Sequence, residues 1–134
     1  MNMTEKAPLK ILIIDDDSFL LDMYALKFTQ KKFEVTGAPG TIEALDKLRN
    51  GYVPDVLVVD LVLPTMDGFE FLETIAKEGL ATHATKVILS NLGQEEDIAR
   101  GMTLGADGYI VKASATPSEV VAKVEEILKN KKKS

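Results

Sequence analysis

Ile11-Leu12-Ile13-Ile14-Asp15-Asp16-Asp17 decides how this chain is read: four consecutive apolar residues run directly into three acids. A strand with one wet face alternates apolar and polar residues, whereas a run apolar at every position is a parallel strand covered on both sides. Working outward, short apolar runs at 10–14, 33–36, 55–59, 86–89 and 108–111 predict five strands. Between and after them, helix-period segments cover 18–30, 41–49, 68–77, 95–103 and 117–129. Thr41, Gln94 and Thr116-Pro117 with Glu119 mark helix starts, Asp17 next to Ser18 reads as a cap, and Gly51, Gly79 and Gly105 mark helix ends. Five βα units follow, and right-handed crossovers wind them into an open, doubly wound α/β sheet with helices on both faces.

The 134 residues fit one domain, expected at 9–129 between a flexible N-terminus at 1–8 and a basic tail at 130–134. The lysines of that tail are read as solvated charge complementing the dipole of the last helix. No apolar run approaches the ~18–20 residues of a membrane span, and the first ten residues lack the apolar core of a signal peptide, so a cytoplasmic location is expected. The absence of Cys excludes disulfides, thiol catalysis and thiolate metal sites, and a single His excludes a multi-histidine metal site. Sixteen Lys and Arg against 21 Asp and Glu give a net charge of −5, so nucleic acid is not an expected partner.

Ligands of a doubly wound sheet gather at the C-terminal ends of its strands. There this sequence places Asp15, Asp16 and Asp17 after the first strand, Asp60 after the third, Ser90 after the fourth and Lys112 after the fifth. If the first and third strands are neighbours, the carboxylates of Asp15, Asp16 and Asp60 converge and repel one another unless a cation or a proton enters. Magnesium suits such an oxygen-only set, and it commonly shares its shell with a phosphate. The Lys112 ammonium and the Ser90 hydroxyl could then stabilise a phosphoryl group in transfer, with a carboxylate as its nucleophile.

At these residues the sequence resembles the receiver domain of two-component response regulators, in the single-domain form of chemotaxis regulators. The likeness rests on Ile11 to Asp17, on Pro54-Asp55-Val56-Leu57-Val58-Val59-Asp60 with Pro64 and Met66-Asp67-Gly68-Phe69-Glu70, on Val87-Ile88-Leu89-Ser90, and on Gly105-Ala106-Asp107-Gly108-Tyr109-Ile110-Val111-Lys112. It implies a flavodoxin-like sheet in the order 2-1-3-4-5, and a phosphorylation-dependent switch rather than a metabolic enzyme. Asp60 would accept a phosphoryl group from a histidine kinase or histidine phosphotransfer protein. Asp16 would ligate Mg2+ directly and Asp15 chiefly through water, with Asp60 and the Val62 backbone carbonyl completing the protein ligands. Lys112 and Ser90 would hold the phosphate, Tyr109 would respond to Ser90, and an output protein of unknown identity would read the change.

Two positions depart from the family pattern: Ala113 stands where a cis-proline usually follows the lysine, and Asn91 stands at a position that is usually small. The first leaves the peptide geometry open, since a cis bond before Ala costs ~3–4 kcal/mol. Asn91 either narrows the approach to Asp60 or adds a hydrogen-bond donor. Val62 and Leu92 are expected to border the path of a hydrolytic water without orienting it, so dephosphorylation should be slow. With no output domain expected after the fifth helix, output runs through a partner. The apolar surplus of the first helix, from Phe19 to Phe28, offers a docking face for a four-helix phosphotransfer bundle. Two rival readings remain. A haloacid-dehalogenase-like phosphatase is suggested by Asp15-Asp16-Asp17-Ser18 and Leu89-Ser90-Asn91, and would leave Asp60 idle. A pseudo-receiver would never take phosphate.

Overall fold

The computed structural model describes residues 7–133. Five strands, β1 (Lys10–Ile14), β2 (Glu34–Ala38), β3 (Val56–Val59), β4 (Thr85–Ser90) and β5 (Gly108–Val111), alternate with α1 (Ser18–Gln30), α2 (Thr41–Arg49), α3 (Gly68–Glu78), α4 (Glu95–Thr103) and α5 (Pro117–Lys133). All neighbouring strands pair in parallel, in the order β2-β1-β3-β4-β5. The order reverses between β1 and β3, which puts the topological switch point beside the ends of those two strands.

Alternate residues of each strand feed two separate cores. Leu12, Ile14, Leu57, Val59 and Ile88 face one cluster with Leu45 and Leu48 of α2 and Phe71, Leu72 and Ile75 of α3. Ile11, Ile13, Val56, Val58, Val87, Leu89 and Ile110 face the other, with Tyr24 and Phe28 of α1 and Val120, Val121 and Val124 of α5. Burial on both faces is why these runs carry no polar alternation, and each fully buried aliphatic side chain contributes about 1.5–3 kcal/mol relative to exposure.

The helix ends follow their sequence signals. Asp17 caps α1 through its bond from the Leu20 amide, and Thr116 and Glu119 bond reciprocally at the start of α5. Gly51, Gly79 and Gly105 all take positive φ.

Other boundaries move. β2 begins one residue after Phe33 and runs on to Ala38, because its span is set by pairing with the whole of β1. Phe33 instead packs edge-on against Phe28, with ring centroids 5.2 Å apart. α5 runs past its expected end at 129 to Lys133, and Lys131 reaches Asp107 at 3.0 Å and the Ala84 carbonyl. The expected flexible N-terminus lies outside the described residues except for Ala7 and Pro8, as does Ser134 of the tail. Among the described residues no helix is long and apolar enough to cross a membrane.

Candidate functional site

Register brings the acids together. Ile14 pairs with Val59, so Asp15 and Asp60 leave adjacent strands at the same level. Their backbones stay in the ladder, with the Asp60 amide donating to the Ile14 carbonyl and the Asp15 amide to the Ala38 carbonyl, both at 3.1 Å. Asp15 and Asp60 are 2% and 5% exposed, and Asp16 is open to solvent. One carboxylate oxygen from each of the three lies within 4.8 Å of the others.

Lys112, leaving β5, brings its Nζ to 2.7 Å from Oδ2 of both Asp15 and Asp60. The remaining oxygens are also engaged: Asp15 Oδ1 accepts from the Asp17 amide at 2.9 Å, and Asp60 Oδ1 from the Val62 amide at 3.2 Å. Burial pushes the Asp15 carboxyl above its ordinary range, opposed by hydrogen bonds from Lys112 and Asp17. Burial alone would lower Lys112, but hydrogen bonds to Asp15 and Asp60 and their charges outweigh it and push the ammonium up. Both directions have one origin, a charged cluster drawn out of water.

Three carboxylates against one ammonium leave two negative charges at the floor of an open cleft. The cleft, about 310 Å³, is lined by Asp16, Asp17, Leu20, Asp60, Val62, Asn91 and Lys112. Clustered carboxylate oxygens, surplus negative charge and open access fit a small hard cation with a phosphate beside it. A larger groove of about 530 Å³ opens at the opposite rim among Leu9, Asp55, Thr85 and the end of α5, where no acidic cluster forms among the described residues.

The loop from β3 to α3 is tightly folded. The Met66 amide donates to the Pro64 carbonyl at 2.8 Å around Thr65, whose φ is +70°, making the less common γ-turn with a positive central φ. Thr41, expected to start its helix, does so, but the cap position is Gly40 and the buried Thr41 hydroxyl instead donates to the Met66 carbonyl at 2.7 Å. Gly68 packs so closely that a Cβ there would lie 2.3 Å from the Asp60 carbonyl oxygen.

Ser90 and Tyr109 stand apart from the carboxylates and meet on one residue. Ser90, fully buried, accepts from the Leu92 amide at 3.4 Å, and the Tyr109 hydroxyl donates to the Leu92 carbonyl. Leu92 itself is half-buried against the core under α2 and α3 and is not among the residues that line the cleft, whereas Asn91 is. The Asn91 Oδ1 accepts from the Ala113 amide at 3.0 Å, a contact that sequence reasoning left undefined. Residues Lys112–Ser114 form a 3-10 turn, and no cis peptide occurs among the described residues, so the bond before Ala113 is trans.

A parallel 2-1-3-4-5 sheet with acids and a lysine converging at its switch point defines the class of receiver-like α/β switches. The response regulator receiver domain model matches residues 11–125, and the chain belongs to that family. The chain is 29% identical over 120 residues to the phosphate regulon transcriptional regulatory protein PhoB of Escherichia coli, covering 90% of this chain and 52% of that protein. It thus spans about half the length of that relative. Over 110 residues it is 30% identical to the chemotaxis protein CheY of Halobacterium salinarum, covering 81% of this chain and 88% of that one. The crystal structure of a CheY-like receiver domain protein from Methanospirillum hungatei superposes with a TM-score of 0.81 at 28% identity, covering 95% of this chain and 99% of that one. Membership defines a signalling domain of two-component systems rather than a metabolic enzyme, in a family that binds Mg2+ at an acidic cluster. It displaces the dehalogenase-like reading.

Proposed function

We propose that Asp60 accepts a phosphoryl group from the phosphohistidine of a histidine kinase or phosphotransfer protein, with Mg2+, and that the aspartyl phosphate changes affinity for an output protein. The observation that carries this reading is a single ammonium shared between two buried carboxylates, Asp15 and Asp60, at the floor of an open cleft. In the transfer a bond forms between an Asp60 carboxylate oxygen and phosphorus as the phosphorus–nitrogen bond breaks. The bonding pair leaves with the imidazole, whose freed nitrogen takes up a proton unless the other ring nitrogen already carries one, so that neutral imidazole departs. Lys112 already donates to Asp60 and follows the new charge onto a phosphoryl oxygen. Asp16, Asp15, Asp60 and the Val62 carbonyl would hold Mg2+, which when bound draws charge from the transferring oxygens.

Ser90 is the expected donor to the phosphoryl group, and turning its hydroxyl toward Asp60 would release the Leu92 amide. Tyr109 holds the carbonyl of the same residue, so Leu92 is the element through which the two side chains are coupled. Exposed Phe19, at 71%, precedes Leu20 of the cleft wall in α1 and offers apolar contact to a helical phosphodonor.

Incubation with acetyl phosphate and Mg2+, followed by measurement of acid-labile phosphate, tests the assignment. The wild-type chain is expected to label and Asp60→Asn is expected not to, with the fold retained. Equal labelling of the two would overturn Asp60 as acceptor, and an unlabelled wild type would favour the pseudo-receiver.

A further inference from the structure

β4 ends at Ser90, opposite Val111 of β5, and neither backbone continues the ladder. The next amide that needs an acceptor on the β5 side is that of Ala113, in the first turn of the 3-10 segment. That segment's own bond runs from the Ala115 amide to the Lys112 carbonyl and leaves Ala113 unserved. Asn91 supplies the acceptor from its side chain, extending the β4–β5 connection beyond the strands. The bond has a chemical precondition, because only a residue that keeps its amide hydrogen at position 113 can make it; a proline there could not.

Resting on the phosphoacceptor reading above, we infer that Asn91 is a positioning residue for Lys112: by fixing the Lys112–Ala113 peptide, it sets the base from which the ammonium spans Asp15 and Asp60. Lys112 reaches both carboxylates at 2.7 Å through a long, flexible stem, so its aim depends on where its backbone is held. Asn91 and Lys112 also line the same cleft. The two departures from the family pattern are therefore one feature: an amide hydrogen gained at Ala113 and an acceptor gained at Asn91. Both residues are exposed, so water competes for the bond and the expected effect is modest.

The test compares wild type, Asn91→Ala and Asn91→Asp, the last of which keeps an acceptor oxygen at the same reach. In the unphosphorylated protein, Asn91→Ala is expected to speed exchange of the Ala113 amide by about threefold to tenfold and to move the NMR signals of the Lys112 ε-methylene. It is also expected to lower the limiting rate of phosphorylation by acetyl phosphate by about threefold while leaving the half-saturating Mg2+ concentration unchanged. Asn91→Asp should restore the amide exchange and the ε signals to within about twofold of wild type. Unchanged Lys112 signals in Asn91→Ala, or equal effects of Ala and Asp, would overturn the inference. The NMR comparison needs no phosphate, so a wild type that fails to label would dismiss the phosphoacceptor reading while Asn91 is still judged on the Lys112 signals.

Discussion

The loops after β3 and β4 sit side by side at one rim of the sheet and are fastened in different ways. The loop that carries Asp60 into α3 is held by backbone packed on backbone: Gly68 abuts the Asp60 carbonyl, its amide donates to the Leu61 carbonyl at 3.0 Å, and Thr41 grips the Met66 carbonyl. The loop after β4 is held chiefly by side chains, with Ser90 and Tyr109 on Leu92 and Asn91 on Ala113. Side-chain bonds at an exposed loop open at lower free energy than close-packed backbone. The difference teaches a division of labour: the proposed acceptor is built where geometry must not change, and the proposed response is built where three hydrogen bonds can be exchanged.

One glycine in each loop breaks or sharpens this comparison most directly. A Cβ at Gly68 would lie 2.3 Å from the Asp60 carbonyl oxygen and 2.7 Å from the Leu61 Cα, both backbone atoms that cannot step aside. At Gly93 it would meet the Val111 Cγ2 at 3.4 Å and Cγ1 at 3.7 Å, ordinary side-chain contacts. Gly68→Ala should therefore destabilise by about 2–4 kcal/mol in urea unfolding, and Gly93→Ala by less than about 0.5 kcal/mol. Equal costs would show that the two loops are alike in rigidity.

The next effect concerns which loop borders the water that would attack phospho-Asp60. Val62 lines the cleft and is 59% exposed, while Leu92 turns into the core. Val62→Asn is expected to speed loss of phosphate by about threefold to tenfold, the upper value corresponding to ~1.4 kcal/mol of added stabilisation at the transition state. Adding Leu92→Glu should bring no further acceleration. Decay of radiolabel or a phosphorus NMR signal measures both, and a double variant much faster than Val62→Asn alone would return Leu92 to the water path.

How far the sequence reveals this contrast depends on what each residue answers to. β1, β3 and β4 are legible because burial on both faces leaves unbroken apolar runs, and Asp15, Asp60 and Lys112 are legible because charges at the ends of such runs must find one another. β2 is less so, since Phe33 fits a strand pattern equally well but packs on Phe28, and only pairing with β1 decides where the strand stops. The end of α5 is less legible because lysines suit a solvated tail and a helix alike, and the contact of Lys131 with Asp107 depends on residues 24 positions apart. The direction of Leu92 is not legible because counting from Ser90 gives a distance along an irregular loop and nothing more. The Asn91–Ala113 bond depends on a trans peptide and a 3-10 turn, neither of which composition or spacing specifies.

A smaller effect tests the latch of the second loop. Tyr109→Phe removes the hydroxyl that holds the Leu92 carbonyl while keeping the ring, which packs against the core under α2 and α3. The loss should be about 0.5–1.5 kcal/mol of stability, with faster amide exchange confined to Leu92 and its neighbours. Slower or unchanged exchange there would mean that the tyrosine does not fasten the loop.

The smallest expected effect has the opposite sign and belongs to the first loop. Thr65 is β-branched and sits at φ +70°, a region in which its Cβ crowds the backbone, and the Met66-to-Pro64 bond and the Thr41 grip on Met66 hold it there. Strain of about 1–3 kcal/mol at such a residue survives only where the surroundings over-determine it. Glycine removes the crowding but gives the unfolded chain more freedom, a penalty of about 0.4–1 kcal/mol. Thr65→Gly should consequently stabilise by about 0.5–1 kcal/mol, read as a higher urea midpoint with an unchanged slope. No residue from Asn91 to Gln94 has a positive φ, so no glycine substitution at Asn91, Leu92 or Gln94 should produce the same gain. If Thr65→Gly instead lowered the midpoint, the turn would be unstrained, and the rigidity of the acceptor loop would rest on Gly68 and Thr41 alone.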